Sequence, residues 1–297
     1  MKSERRLVFG GIDAGGTTFK CGLADANGNL IEKVRVPVSS PAETLVGCAA
    51  FFRSAASGCE LKALGLASFG PLDVDPVSPD YGRLLKTPKA GWSGTHLRQY
   101  FASALDVPVW VDSDVNGALL AERTRGAAVG AAGAAYITVG TGIGAGIFIN
   151  GEFAGRPGHP EFGHIPVRRH PHDIGFEGVC PFHGDCLEGV ASVSAMRARW
   201  GDPEAMPPEH EGWTIIADYL AQACRVLTLT LRLDRIIIGG GLSLAPNLMS
   251  QVRSAYDRQM AGYLSETAPP GSQLIDRPLL GDDAGLMGAV LLAIHGR

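Results

Sequence analysis

The chain has 297 residues, 45% hydrophobic and 19% charged, with 40 glycines and a formal net charge of -4. That length suits one large domain or two. The charge offers no field to gather DNA or RNA, and no apolar run approaches the ~20 residues of a membrane-spanning helix. Residues 1–6 carry no apolar signal core, so a cytoplasmic protein is expected. Cys21, Cys48, Cys59 and Cys224 lie in apolar patterns and are expected to be reduced core residues.

Residues 7–12 form an apolar run that predicts a buried strand. The turn Asp13-Ala14-Gly15-Gly16-Thr17-Thr18 leads to a second strand over 19–24, and Asn27-Gly28 supplies a hairpin turn into a third over 30–38. Pro41 opens a helix to about Ser57, and strand 61–68 follows. Residues 73–92 are Pro-rich and irregular, and a loop of that length inside a compact domain is usually functional. A helix over 95–105, a strand over 107–112 and a helix capped by Asp114 and running to about Arg125 complete the first half. The second half opens in the same way, with strand 134–139, the turn Gly140-Thr141-Gly142-Ile143-Gly144 and strand 145–150. Helices near 190–200 and over 213–233, strand 235–238, the turn Gly239-Gly240-Gly241 and helices over 246–263 and 283–295 follow. The alternation predicts α/β layers with largely parallel sheets.

One stretch has the donor set of a metal site. Cys180, His183 and Cys186 recur every third residue on a loop broken by Pro181 and Gly184, and His164 lies sixteen residues upstream of Cys180. A structural zinc ion takes four such ligands in a tetrahedron and keeps no open position. Between them, Arg168, Arg169, His170, Pro171, His172 and Asp173 are polar or helix-breaking. The expectation is therefore that a metal supplies the missing core; the alternative is a loop with cysteines and histidines but no metal. Glu161 and Glu188 stand at either end of this stretch, where a bound metal would aim them.

The two glycine turns are candidate phosphate clamps. Glycines let backbone N–H groups approach an anion, and the hydroxyls of Thr17, Thr18 and Thr141 can add donors. Lys20 could add charge, unless strand alternation turns it away. Gly140, Gly142 and Gly144 recur every second residue and a strand follows them, so this is no dinucleotide fingerprint. Either turn alone could be a bland hairpin; the pair, one per half, points to a polyphosphate. Asp114, in Asp112-Ser113-Asp114-Val115-Asn116-Gly117, stands at a strand end that opens a helix. It is either a helix cap or, beside a phosphate cleft, the carboxylate that deprotonates an accepting hydroxyl. Gly239-Gly240-Gly241 and the later Asp283-Ala284-Gly285-Leu286-Met287-Gly288 suit close approach to a flat ligand such as adenine, or helix packing.

Taken together these motifs resemble the ROK family of sugar kinases over nearly the whole chain. Asp13 to Thr17 resembles the family's first phosphate loop and Thr138 to Gly144 its second. Glu161-Phe162-Gly163-His164 resembles its Glu-x-Gly-His motif, and Cys186-Leu187-Glu188 the end of its cysteine motif. The Cys-x-x-His-x-x-Cys spacing, Ala67-Ser68-Phe69-Gly70-Pro71-Leu72-Asp73, Tyr81-Gly82 and Thr87-Pro88-Lys89-Ala90-Gly91-Trp92 resemble the bacterial zinc-containing fructokinase branch. Ser113 stands where many members have Asn, Thr18 where many have Lys, and Asp13 where fructokinases often have Glu.

The resemblance implies an α/β protein of the actin-like ATPase (ribonuclease H-like) fold, with two α/β domains flanking a cleft. Residues 1–117 with 284–297 would form a small domain closed by the C-terminal helix. Residues 118–283 would form a large one with the zinc loop and nucleotide site. It implies ATP-dependent phosphorylation of D-fructose at the 6-hydroxyl, with Asp114 as general base. Gly70, Pro71, Ser113, Asp114, Glu161 and Glu188 would face the sugar. Asp13, Gly15, Gly16, Thr17, Thr18, Lys20, Gly140, Thr141, Gly142, Gly239, Gly240 and Gly241 would face ATP and its Mg2+. His164, Cys180, His183 and Cys186 would bind structural Zn2+. Another hexose (mannose, glucose or an amino sugar) is the alternative substrate. A sugar-responsive repressor or a sugar binder without turnover is the alternative class, and the six residues before Leu7 leave no room for a helix-turn-helix. Sugar and ATP are the expected partners, together with a second copy of the chain, and neither nucleic acid nor membrane.

Overall fold

A computed structural model describes residues 6–87 and 89–296. They fold as two compact units. One holds the described residues up to Ala121, Gly155–His159 and those from Asp282 onward; the other holds Glu122–Ala154 and Pro160–Gly281.

In the first unit β1 (Arg6–Ala14), β2 (Thr18–Ala24) and β3 (Leu30–Pro37) run antiparallel. The connections are too short for anything else. At the second of them the Asp25 carboxylate accepts the N–H groups of Asn27 and Asn29, both at 2.9 Å. Helix α1 (Pro41–Ala55) starts at Ser40, whose hydroxyl accepts the Glu43 N–H at 3.3 Å and donates to its carboxylate at 3.0 Å. It carries the chain across to β4 (Cys59–Ser68), parallel to β1. Helix α2 (Leu97–Leu105) then leads to β5 (Val109–Ser113), parallel to β4, and α3 (Asp114–Arg125) follows β5 with no intervening loop. The sheet order is β3-β2-β1-β4-β5. Phe19, Phe52, Leu64, Leu66, Trp92, Leu97 and Phe101 fill its core, each worth about 1.5–3 kcal/mol of burial.

The second unit repeats this plan. β6 (Ala134–Val139), β7 (Ile143–Ile149) and β8 (Glu152–Phe153) are antiparallel. After α4 (Leu187–Ala191), α5 (Val193–Trp200) and α6 (Glu211–Leu231), strand β9 (Arg235–Gly239) pairs parallel with β6. After α7 (Leu248–Met260) and α8 (Gly271–Leu274), strand β10 (Ile275–Asp276) pairs parallel with β9. The order β10-β9-β6-β7-β8 is the first sheet's order with each strand replaced by its successor five places on. Each sheet is therefore mixed rather than largely parallel, because hairpins join its first three strands and helices its last two. The core is apolar on α6 (Ile216, Leu220, Ala223, Leu227), on β9 (Ile236, Ile238) and on α7 (Val252, Tyr256).

The single helix expected near 190–200 is two. Ser192 breaks it at extended backbone angles, and its hydroxyl accepts the Ala195 N–H at 3.2 Å to start α5. The unit boundaries also differ from the expected 117/118 and 283/284. Glu122 is fully buried, and its carboxylate accepts N–H groups from Ala127, Leu279 and Leu280 at 2.7–3.1 Å, which draws α3 from that residue onward into the second unit. Residues 155–159 join the first unit because the Arg156 guanidinium pairs with Asp112 and donates to the Val74 carbonyl at 3.0 Å.

Helix α9 (Ala284–His295) belongs to the first unit and packs on β1 and β4. The approach leaves no room for side chains: a Cβ on Gly65 would lie 1.8 Å from the Ala289 carbonyl oxygen. Gly65→Ala is expected to cost at least the ~1–3 kcal/mol typical of overpacking. Chemical denaturation would show it, and an unchanged midpoint would contradict this close seat.

Candidate active site

The first glycine turn closes between β1 and β2. The Gly15 N–H donates to the Thr18 carbonyl at 3.1 Å, and Val38 N–H donates to the Thr17 carbonyl at 3.0 Å. Gly16 and Thr17 are exposed at the tip. Asp13 and Lys20 sit opposite each other in the β1–β2 register, so alternation places them on one face. The Lys20 amine is 3.4 Å from the Asp13 carboxylate and 2.7 Å from that of Asp282. Burial raises the Asp13 carboxyl above its ordinary range, and Lys20 opposes the shift.

Asp114 stands where β5 passes into α3. It is not the helix cap. That place falls to Ser113, whose hydroxyl accepts the Asn116 N–H at 3.3 Å. The Asp114 carboxylate accepts the adjacent Val115 N–H at 2.9 Å. Burial, reinforced by the Asp13 charge, pushes this carboxyl up to about 7. A carboxyl raised toward neutrality is what a general base needs. Beside it lies a buried network that sequence reasoning missed. Asp112 is 2% exposed and accepts the Asn116 amide at 2.8 Å and the Arg156 guanidinium. The Ser113 hydroxyl lies 3.3 Å from Nδ1 of His159, whose pKa burial lowers. The run Arg156-Pro157-Gly158-His159-Pro160, a cation and an imidazole each followed by proline, was the available signal. Phe69, next to the exposed Gly70 and Pro71, is tied to β1 by its N–H to the Ala14 carbonyl at 3.0 Å.

In the second unit Gly140 N–H donates to the Gly142 carbonyl at 2.9 Å, closing the second turn. Helix α5 presses on this turn: Val193 N–H donates to the Gly140 carbonyl at 2.8 Å and the Ser194 hydroxyl to the Thr141 carbonyl at 2.7 Å. Glu188 joins the same turn, its carboxylate accepting the Ile143 N–H at 2.9 Å. A Cβ on Gly142 would lie 2.4 Å from that carboxylate, so a larger residue there would push the Glu188 side chain aside. Gly239 ends β9 with Gly240 and Gly241 beyond it, and Gly240 adopts φ +82° with its carbonyl accepting the Ser243 hydroxyl at 2.8 Å. Glu161 is exposed and precedes the 3-10 turn Phe162–His164. Of the predicted residues, then, Asp13, Lys20, Ser113 and Asp114 share the first unit, while Glu161, Glu188, the second turn and Gly239 to Gly241 share the second.

His164, Cys180, His183 and Cys186 converge. Their donor atoms all lie within 4.8 Å of one another. Cys180 and Gly184 exchange backbone hydrogen bonds at 3.1 and 2.9 Å, a tight knuckle, and both cysteines are buried. The geometry fits a tetrahedral ion. Zinc–sulfur and zinc–nitrogen bonds of about 2.3 and 2.05 Å at a tetrahedral angle put sulfur about 3.6 Å from nitrogen. The Cys180 sulfur is 3.6 Å from Nδ1 of His164 and 3.8 Å from Nδ1 of His183; the Cys186 sulfur is 3.5 Å from Nδ1 of His164.

The preceding loop is not coreless, as its composition suggested. Asp173 and Arg199 are 4% and 6% exposed and pair at 2.6 Å. Tyr219 donates to the same Asp173 carboxylate at 2.7 Å, and Arg169 donates to the Asp173 and Phe176 carbonyls. Asp173 and Arg169 thus join Arg199 and Tyr219 in a hydrogen-bonded network built from side chains of the protein itself.

Residues 9–295 match the ROK family. The chain is 41% identical over 300 residues to the fructokinase of Zymomonas mobilis, covering 99% of this chain and 98% of that one. It is 38% identical over 259 residues to the fructokinase of Lactococcus lactis, covering 87% of each. The structure of a glucokinase from Streptomyces griseus in complex with glucose and AMPPNP aligns with a TM-score of 0.77 at 25% identity, over 97% of this chain and all of that one.

Proposed function

The chain belongs to the ROK family, on the actin-like ATPase fold, and from that premise we propose that it is an ATP-dependent fructokinase making fructose 6-phosphate. The observation that carries the chemistry is Asp114: a carboxyl raised to about 7, and left unused by the helix start that Ser113 caps. Asp114 takes the proton of the sugar 6-hydroxyl. The freed oxygen attacks the terminal phosphorus of ATP, the bond from that phosphorus to ADP breaks, and fructose 6-phosphate and ADP leave. The exposed tips at Gly16, Thr17 and Thr141 offer groups to the phosphates. Glu161 and Glu188 take sugar hydroxyls, and Gly239 to Gly241 take the adenosine. A bound Mg2+ would neutralise phosphate charge; Asp13 is the carboxylate best placed to serve it at the first turn.

His164, Cys180, His183 and Cys186 would hold a zinc ion with no open position, so its contribution is to hold the knuckle that ends two residues before Glu188 and not to touch substrate. The support is the donor set and the sulfur–nitrogen distances above.

ADP release measured over a panel of hexoses tests the substrate. D-Fructose is expected to give the highest kcat/KM, ahead of mannose, glucose and amino sugars. A higher value for any of these would reassign the substrate, and no ADP release with any hexose would refute the kinase.

A further inference from the structure

Lys20, the lysine beside the first phosphate turn, is already neutralised. It faces Asp13 at 3.4 Å and Asp282 at 2.7 Å, and it donates to the Asp282 carbonyl at 2.6 Å. Lys89 is not. It comes from the irregular segment 73–92, and its amine lies 4.6 Å from the ring centre of Phe69 and 5.4 Å from that of Trp92. The amine donates to the Gly16 carbonyl, and among the described residues no carboxylate pairs with it. Burial lowers its pKa. A partly desolvated ammonium with no counter-anion is an unfavourable arrangement that an incoming anion would relieve. Its place identifies the anion. Phe69 adjoins Gly70-Pro71 on the sugar side, and Gly16 is the tip of the phosphate turn. One amine therefore touches both the loop assigned to the acceptor and the loop assigned to the donor.

The geometry points to Lys89 as a catalytic residue that binds the phosphoryl group while it passes from ATP to the sugar oxygen. This rests on the fructokinase reading. Lys89 makes no covalent bond and gives up no proton. The phosphorus–oxygen bond to ADP breaks, the bond to the 6-oxygen forms, the hydroxyl proton goes to Asp114, and the ammonium follows the charge on the equatorial phosphoryl oxygens. Its long flexible stem suits a partner that moves.

Steady-state kinetics of Lys89→Met and Lys89→Arg with ATP and D-fructose, alongside melting curves, test this. Lys89→Met is expected to lower kcat by about 10²–10³-fold, the loss seen when one donor to a transition-state anion is removed. KM for both substrates and the melting temperature should stay near wild type, and Lys89→Arg should recover part of the rate. Unchanged kcat with a raised KM for fructose would make Lys89 a ground-state sugar contact, and a lowered melting temperature alone would make it a structural pin; either overturns the assignment. Wild type without ADP release on any hexose would instead bring down the kinase reading, and the role of Lys89 with it.

Discussion

Asp114→Asn is expected to lower kcat for D-fructose by about 10²–10⁴-fold and, at pH 8, to make the protein more stable. Both effects have one cause. Burial and the neighbouring Asp13 raise this carboxyl from 3.8 to about 7. The shift keeps the base able to accept a proton near neutrality, and it also means that the folded state holds an ill-solvated carboxylate above pH 7. The unfolded chain ionises at its ordinary value, so the penalty is absent below about pH 4, grows as pH rises toward 7 and is complete above it. Three pKa units correspond to at most about 4 kcal/mol. The Asn variant carries no such penalty. Its melting temperature should exceed wild type at pH 8, and the difference should vanish toward pH 4. In wild type kcat/KM should fall on the acid side of a group titrating near 7. A variant both inactive and less stable at pH 8 would mean that Asp114 is held by favourable contacts and is not strained.

The second large effect concerns the knuckle. Cys186→Ala should abolish stoichiometric zinc, lower the melting temperature by many degrees and reduce kcat/KM. Structural zinc sites contribute on the order of 10 kcal/mol of binding free energy to folding, and Cys186 starts α4, which carries Glu188 to the Ile143 N–H. The buried network of Asp173, Arg199 and Tyr219 should leave the preceding loop folded, so the damage should be confined to residues near 180–188 in hydrogen exchange. Wild-type protein that is metal-free by elemental analysis yet fully active would remove zinc from the account.

What was legible in the sequence was local. Both glycine hairpins, the Cys-x-x-His-x-x-Cys knuckle and the doubled strand–turn–strand opening declare themselves within a few residues, because the hydrogen bonds that make them are local. Asp114 was ambiguous because the choice between cap and base turns on a one-residue difference in where α3 begins, and only coordinates show Ser113 in the capping place. The contacts of Lys89 with Gly16 and of Arg156 with Asp112 were not legible because the partners lie 73 and 44 residues apart. The loop over 168–173 looked coreless for the same reason: Asp173 finds Arg199 twenty-six residues on. Two-residue strands such as β10 carry too little pattern to declare themselves.

The central claim is that Asp114 activates the 6-hydroxyl of D-fructose toward ATP. Phosphorus NMR of wild type and Asp114→Asn incubated with ATP and D-fructose tests it directly. Wild type should convert ATP to ADP with an equal amount of a phosphomonoester at C6, while the variant forms that ester at least 100-fold more slowly, the lower bound for losing a general base. An ester at C1, ADP accompanied only by inorganic phosphate, or equal rates for the two proteins would contradict the account.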